Sequence, residues 1–344
     1  MTALELILKK TTEYLKIPSV VGYETFFLDY LENDFRKLNL KTHRYKGLLL
    51  IEGSNPTSNV LSVHIDRHGL VANGIGELEY AAYQVKENKY GVDAVIKKKM
   101  WEKIASRFNG ENVYAYNPIT GSKIGEGSID SGYLCPIREN FIFRVKNLES
   151  LKKNTPVSFS VSCVTDLKCV VGQLDNVLSV GLTYGLYKYG FQGSLLLTTE
   201  EEIGKSWEHV LDYFNEDKIE TQKLFVFDTS PFDSSDNIDL NAVILRKRDN
   251  NSAFNKSLTS LILKKCEKLK IPSLFKDEYI LNQSNKGDKI NLGSTELGRI
   301  ILESKQKING TTVQIPTFGY HTNKETANFH AIENVFKLLN SVLN

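Results

Sequence analysis

The sequence predicts an α/β fold, a mostly parallel sheet sandwiched by helices, carrying an inserted β-rich domain. Three observations predict it. Short apolar strands alternate with amphipathic helices near both ends of the chain, the pattern of a parallel sheet covered on both faces. Between about Asn73 and Thr165 that alternation gives way to short extended segments punctuated by Tyr and Gly. The 344 residues also exceed the roughly 100–150 typical of one domain. Residues 1–72 and 166–344 are therefore expected to form one α/β domain, and residues 73–165 a β-rich insertion.

Taken in order, Leu4, Ile7, Leu8 and Leu15 recur near helical spacing, so Ala3 to Leu15 reads as an amphipathic helix ended by Ile17-Pro18-Ser19. Phe26, Leu28, Leu31, Phe35 and Leu38 mark a second helix from Tyr23 to Leu38. Leu48–Ile51 and Val60–Ile65 are apolar runs in the style of buried strands. In the insertion, Asn112–Tyr116, Phe141–Val145 and Val157–Cys163 read as extended, with a basic helix at about Asp93 to Phe108. The alternation then resumes with a helix at Asn176–Tyr189, a strand at Ser194–Thr199, a helix at Ser206–Phe214 and a strand at Lys223–Phe227. A helix at Lys256–Lys270, a strand at Thr311–Ile315 and a closing helix at Ala331–Leu343 complete it. No internal repeat is evident.

Composition excludes several classes. With 41% apolar and 24% charged residues the chain is an ordinary globular one. The 43 basic and 41 acidic residues nearly balance, which argues against an electrostatically driven nucleic-acid binder. No run of about 18 apolar residues is present, so no membrane-spanning helix is expected. Met1 to Lys10 lacks the features of a secretory signal, and Cys135, Cys163, Cys169 and Cys266 are scattered; a cytoplasmic protein with reduced thiols is expected.

Five polar clusters fall at strand ends or helix starts. They are His64-Ile65-Asp66, Asp175 before a helix, Glu200-Glu201-Glu202 after a strand, Asp228 after a strand, and Gly319-Tyr320-His321. In open α/β sheets that edge is where ligands bind. Each cluster alone has an ordinary reading as a cap or a solvated turn. Together, two His and several carboxylates are what a zinc-type site requires, because zinc accepts imidazole nitrogen and carboxylate oxygen. Strand alternation puts Asp66 on the face of His64, where it can orient the ring by hydrogen bond. The adjacent carboxylates of Glu201 and Glu202 can divide labour between proton transfer and metal binding.

The order of these clusters resembles the glutamyl/tetrahedral aminopeptidase family of dinuclear metallopeptidases. His64-Ile65-Asp66-Arg67-His68-Gly69 resembles the family's His-x-Asp-x-x-Gly, and Glu201-Glu202-Ile203-Gly204 its Glu-Glu-Val-Gly. Val21-Gly22-Tyr23-Glu24, Leu174-Asp175-Asn176, Asp228-Thr229-Ser230-Pro231-Phe232-Asp233 and Gly293-Ser294-Thr295-Glu296-Leu297-Gly298 look like further family motifs. Ile315-Pro316-Thr317 with His321 and Glu325 is similar to the last. The resemblance implies a phosphorylase/hydrolase-like peptidase domain, with the insertion serving substrate access or assembly. It implies two divalent ions, zinc with cobalt or manganese as alternatives, bridged by Asp175. His64 and Asp228 would complete one ion's ligands, and Glu202 and His321 the other's, with Glu201 as general base and then general acid. Asp66, orienting His64, is expected as the second catalytic residue. Peptides would be the substrates, and homo-oligomers up to a dodecamer the assembly. Val177 and Glu296 stand where the family usually has Arg and Asp, and His68 is unusual in its motif and could face the metals. The base and ligand pair could also be Glu200 and Glu201, although Ile203-Gly204 favours Glu201 and Glu202. Rival readings are a related two-metal carboxypeptidase or deacylase, and a catalytically silent metal-binding protein. An insertion lying between His64 and Asp175 favours the aminopeptidase.

Overall fold

Alternation of buried side chains explains the central layer. The computed structural model describes residues 1–82, 94–135, 137–138, 140–161, 163–166, 168–216, 219–234, 236–285 and 290–344. Strands β2 (Leu48–Glu52), β3 (Val60–His64), β12 (Ser194–Thr198), β13 (Thr221–Phe232) and β16 (Ile308–Phe318) form the middle of a sheet with neighbour order β2-β12-β3-β13-β16. Leu49, Ile51, Leu61, Val63, Leu195, Leu197, Phe225 and Phe227 point into one apolar layer, while Leu48, Leu50, Leu196, Leu224 and Val226 point into another. Both faces are therefore buried, as expected of strands without a solvent side. The four strands β12, β3, β13 and β16 run parallel. Towards the edges the pairing turns antiparallel, through β2 and β1 (Lys41–Tyr45) on one side. On the other side it runs through β17 (Glu325–Asn328), β11 (Cys169–Gly172) and β10 (Val164–Thr165).

Helices cover both faces. Helix α1 (Ala3–Leu15) begins with a capping box in which Thr2 accepts from the Glu5 amide and Glu5 accepts from the Thr2 amide. It packs on α4 (Val177–Lys188), whose residues from Val177 to Tyr187 are all buried. The close approach needs glycine: a Cβ on Gly181 would lie 2.5 Å from Thr11 Oγ1. α4 thereby holds a fixed depth beneath the sheet, and Asp175 sits just before its first turn. Helices α5 (Ser206–Glu216) and α8 (Glu296–Glu303) pack in the layer on the opposite face.

Residues 70–159 contain a second core. Strands β4 (Leu70–Ala72), β5 (Glu77–Tyr80), β8 (Asn140–Lys146), β7 (Lys123–Cys135), β6 (Asn112–Tyr116) and β9 (Pro156–Phe159) close into an antiparallel barrel in that order. Its interior holds Phe108, Phe141, Phe143, Phe159 and Tyr116, with the Phe108 and Phe159 rings stacked at 4.8 Å. Phe108 comes from α3 (Ala94–Phe108); Asp93, where the sequence starts that helix, lies outside the described residues. Two segments differ from the boundaries expected at 72 and 165. Leu70–Ala72 pairs inside the barrel, and Val164–Thr165 pairs with the large sheet. Both are too short to carry a pattern of their own.

Candidate metal centre

The parallel register brings the polar clusters to one edge. β3 ends at His64, which lies opposite Thr198 at the end of β12. Beyond β12 the chain turns through Glu200, whose φ is +64°, into a 3₁₀ turn at Glu201–Ile203. Asp66 holds this turn: its two oxygens accept the amides of Glu201 at 3.1 Å and Glu202 at 3.0 Å. Asp228 lies inside β13 rather than after it, because pairing with β16 continues to Phe232. After β16 the chain reverses at Gly319 (φ +76°), places His321 at φ +59°, and returns as β17. Glu325 ties this reversal to α4, accepting the amides of His321 at 2.6 Å and Asp175 at 2.8 Å.

The side chains converge on two donor sets. His64 Nε2 lies 3.2 Å from Asp175 Oδ1 and 3.4 Å from Asp228 Oδ1. His321 Nε2 lies 3.4 Å from Asp175 Oδ2 and 3.4 Å from Glu202 Oε2. The two oxygens of Asp175 thus face different sets. His68 joins the second, with Nε2 2.7 Å from Glu202 Oε2. Within each set, His64–Asp175–Asp228 and His68–Glu202–His321, the candidate ligand atoms lie within 4.8 Å of one another. Asp175 Oδ1, Glu202 Oε1 and His68 Nε2 are buried without a hydrogen-bond partner. Buried polar atoms are rarely left so, and a divalent cation on each set would satisfy them. Mixed imidazole and carboxylate donors suit zinc, cobalt or manganese.

The electrostatics of the bare protein point the same way. Burial pushes Glu201 well above the ordinary carboxylate range and raises Glu202 to about 8. Burial, then the neighbouring Asp175, raises Asp228. Burial opposes ionisation of Asp175 too, but the imidazoles of His321 and His64 hold it far below its usual value. Burial lowers His64, yet its contacts with Asp175, Asp228 and Asp66 carry it well up. Burial brings His68 to about 3 and His321 to about 4, so both are neutral donors at ordinary pH. Crowded buried carboxylates are costly, and a bound cation inverts that cost.

Asp66 faces both His64 and the turn that follows β12. Its carboxylate is 3.6 Å from His64 Nδ1, beyond an ordinary hydrogen bond, and its close contacts are the two turn amides. Glu200 points away to His209 Nε2 at 2.9 Å, whereas Glu201 and Glu202 line the cavity. Glu296 is buried beneath the site, accepting from Ser62 and Thr198 on β3 and β12. Val177 is buried in the first turn of α4. The centre opens into a cavity of about 1200 Å³ whose wall includes Arg246 and Lys276. A second cavity of about 440 Å³ lies across Glu201 and Glu202, lined by Tyr80, Arg107, Trp207 and Tyr320. Sequence reasoning did not single out Arg107, Tyr80 or the anchoring carboxylate of Glu325 as parts of the site; Glu325 was visible only inside a motif.

No protein-family model matches the sequence, and no curated protein does. Solved structures match along nearly the whole chain. An aminopeptidase from the archaeon Desulfurococcus kamchatkensis is 13% identical, covers 99% of this chain and 95% of its own, and superposes with a TM-score of 0.74. The TET1 peptidase of Pyrococcus horikoshii, described as assembling into a tetrahedron or a large octahedral shell, is 16% identical over 98% of this chain and 99% of its own, with a TM-score of 0.69. A Thermotoga maritima protein described as an endoglucanase is 15% identical over 97% and 96%, with a TM-score of 0.64. The shared property is the fold, and different activities accompany it.

Proposed function

We propose that the chain is a two-metal aminopeptidase that hydrolyses the N-terminal peptide bond of peptides. The observation that carries this reading is Asp175, whose two oxygens face two separate sets of imidazole and carboxylate donors. In this reading His64, Asp175 and Asp228 would hold one ion, and Glu202 and His321, with the other oxygen of Asp175, would hold the second. Bound divalent cations supply Lewis-acid polarisation of the scissile carbonyl and acidify the attacking water. Glu201 lines the cavity beside both sets. Its carboxylate takes a proton from that water and returns it to the leaving amine nitrogen. Asp66 fixes Glu201 and Glu202 by their amides. Zinc is the first choice of metal, with cobalt and manganese as alternatives.

The fold is shared with a protein described as an endoglucanase. Glycoside hydrolysis uses two carboxylates flanking the scissile bond, one of them free as a general acid. Here Asp175, Glu202 and Asp228 are each set against imidazole nitrogens, which favours metal-assisted hydrolysis. Cytoplasmic location and homo-oligomeric assembly belong to the same proposal. The described residues contain no helix long and apolar enough to cross a membrane, and all four cysteines are free. Ile75, Ile119, Ile124 and Ile137, all exposed, lie in the barrel region and suit a surface covered by another copy. The test is a panel of aminoacyl-4-nitroanilides with N-acetylated equivalents, assayed after chelation and metal return. Metal-dependent cleavage of the free-amine substrates alone is expected. Cleavage of blocked substrates alone would replace this reading with a deacylase or carboxypeptidase, and bound metal without cleavage would replace it with a silent metal-binding protein.

A further inference from the structure

We propose that His68 is a ligand of the second metal ion, so that this ion is held by two imidazoles while the first keeps one. The inference rests on the two-metal reading and adds to it a donor that the motif alone does not supply.

His68 is buried and its ring lies against that of His321, with centroids 3.7 Å apart. Its Nε2 is 2.7 Å from Glu202 Oε2 and belongs to the same cluster as His321 Nε2. Its other nitrogen is already engaged, with Nδ1 2.5 Å from Tyr80 Oη. An imidazole whose Nδ1–H is given to an oxygen presents a lone pair at Nε2, and ligating histidines are commonly fixed in this way. The main chain is pinned as well, since Gln173 Nε2 donates to the His68 carbonyl at 2.8 Å. A competing role would have Nε2–H donate to Glu202 and merely orient it. Despite the short separation, Nε2 has no hydrogen bond of acceptable geometry, and neither has Glu202 Oε1. Two buried, unpartnered polar atoms on neighbouring members of one donor cluster fit a cation held by that cluster.

Two consequences follow. The set His68–Glu202–His321 with Asp175 Oδ2 offers four protein donors, whereas His64–Asp175–Asp228 offers three. The imidazole-rich set should fill first with zinc or cobalt, and the carboxylate-rich set should hold its ion more weakly and keep a position open. Tyr80 belongs to β5, so the barrel wall itself orients a metal ligand.

The test is titration of the metal-free wild-type chain with Co²⁺, with X-ray absorption at the cobalt edge after one equivalent. Two imidazoles on the first cobalt are expected. In His68→Gln the dissociation constant of that equivalent should rise roughly 10–100-fold, and in Tyr80→Phe it should rise less. One imidazole on each of two bound ions in the wild type would overturn this inference alone, as would unchanged binding in both variants. Failure of the wild type to bind cobalt would overturn the two-metal reading and the inference with it.

Discussion

Asp66 and Glu325 do the same work, each accepting two backbone amides: those of Glu201 and Glu202 for Asp66, and those of Asp175 and His321 for Glu325, all candidate ligand or base residues. Glu325 spans 150 residues of sequence to reach Asp175, which is why no local pattern reveals its partner. His321 needs such an anchor because φ of +59° is an uncommon conformation for a side-chain-bearing residue. Glu325→Gln should therefore weaken metal binding by about 10–100-fold, read by competition with a chromophoric chelator. Unchanged affinity would show that the reversal holds itself. Glu201→Gln should keep both ions but lose about 10²–10⁴ in turnover, because only the proton acceptor is removed. Elemental analysis beside kinetics separates the two effects, and normal turnover would displace Glu201 as the base. His64, Asp175, Glu202, Asp228 and His321 were gathered from sequence as strand and helix ends at one sheet edge; the structure brings these side chains near one another, with Asp228 inside β13 instead of at its end. His68 was legible only as an oddity, since its value depends on Tyr80 in a different layer.

At the scale of elements, β13 shows what local reading misses. Asp228, Thr229, Ser230 and Pro231 look like a loop, yet all pair with β16. β3 pairs only with Leu224, Phe225 and Val226, so the later part of β13 is an edge on that side, where proline is tolerated. Tertiary pairing overrides propensity in such a segment. The β13–β16 contact also depends on Gly310, where a Cβ would lie 1.8 Å from the Leu224 carbonyl oxygen. Gly310→Ala should force the strands apart and cost about 1–3 kcal/mol, measured as the urea midpoint of the metal-free protein so that ion binding does not mask the loss. A midpoint unchanged from wild type would mean the sheet yields there freely. The buried five-residue strands β2, β3 and β12 were legible because each carries at least three apolar residues. Short segments such as β14 (Val243–Leu245) and β17 carry too few residues to announce themselves.

For the whole molecule, the barrel and the metal centre are not independent. Arg107 reaches from α3 into both cavities, and its guanidinium lies 5.4 Å from the Tyr320 ring beside His321. The core of the barrel also includes Val20, Val21 and Ile203 from outside residues 70–159. If the exposed isoleucines mark a contact between copies, light scattering should give a multiple of the chain mass, and Ile119→Glu with Ile124→Glu should lower it. A monomeric wild type would refute the assembly.

In the proposed reading, one ion on either side of Asp175 would together make the aminopeptidase. Zinc should be returned stepwise to the chelated protein while bound ions per chain and hydrolysis of an aminoacyl-4-nitroanilide are followed in one experiment. Two ions per chain are predicted, with hydrolysis appearing as the second binds and the N-acetylated substrate left intact. Saturation below two ions, or hydrolysis that does not depend on them, would rule out a two-metal aminopeptidase.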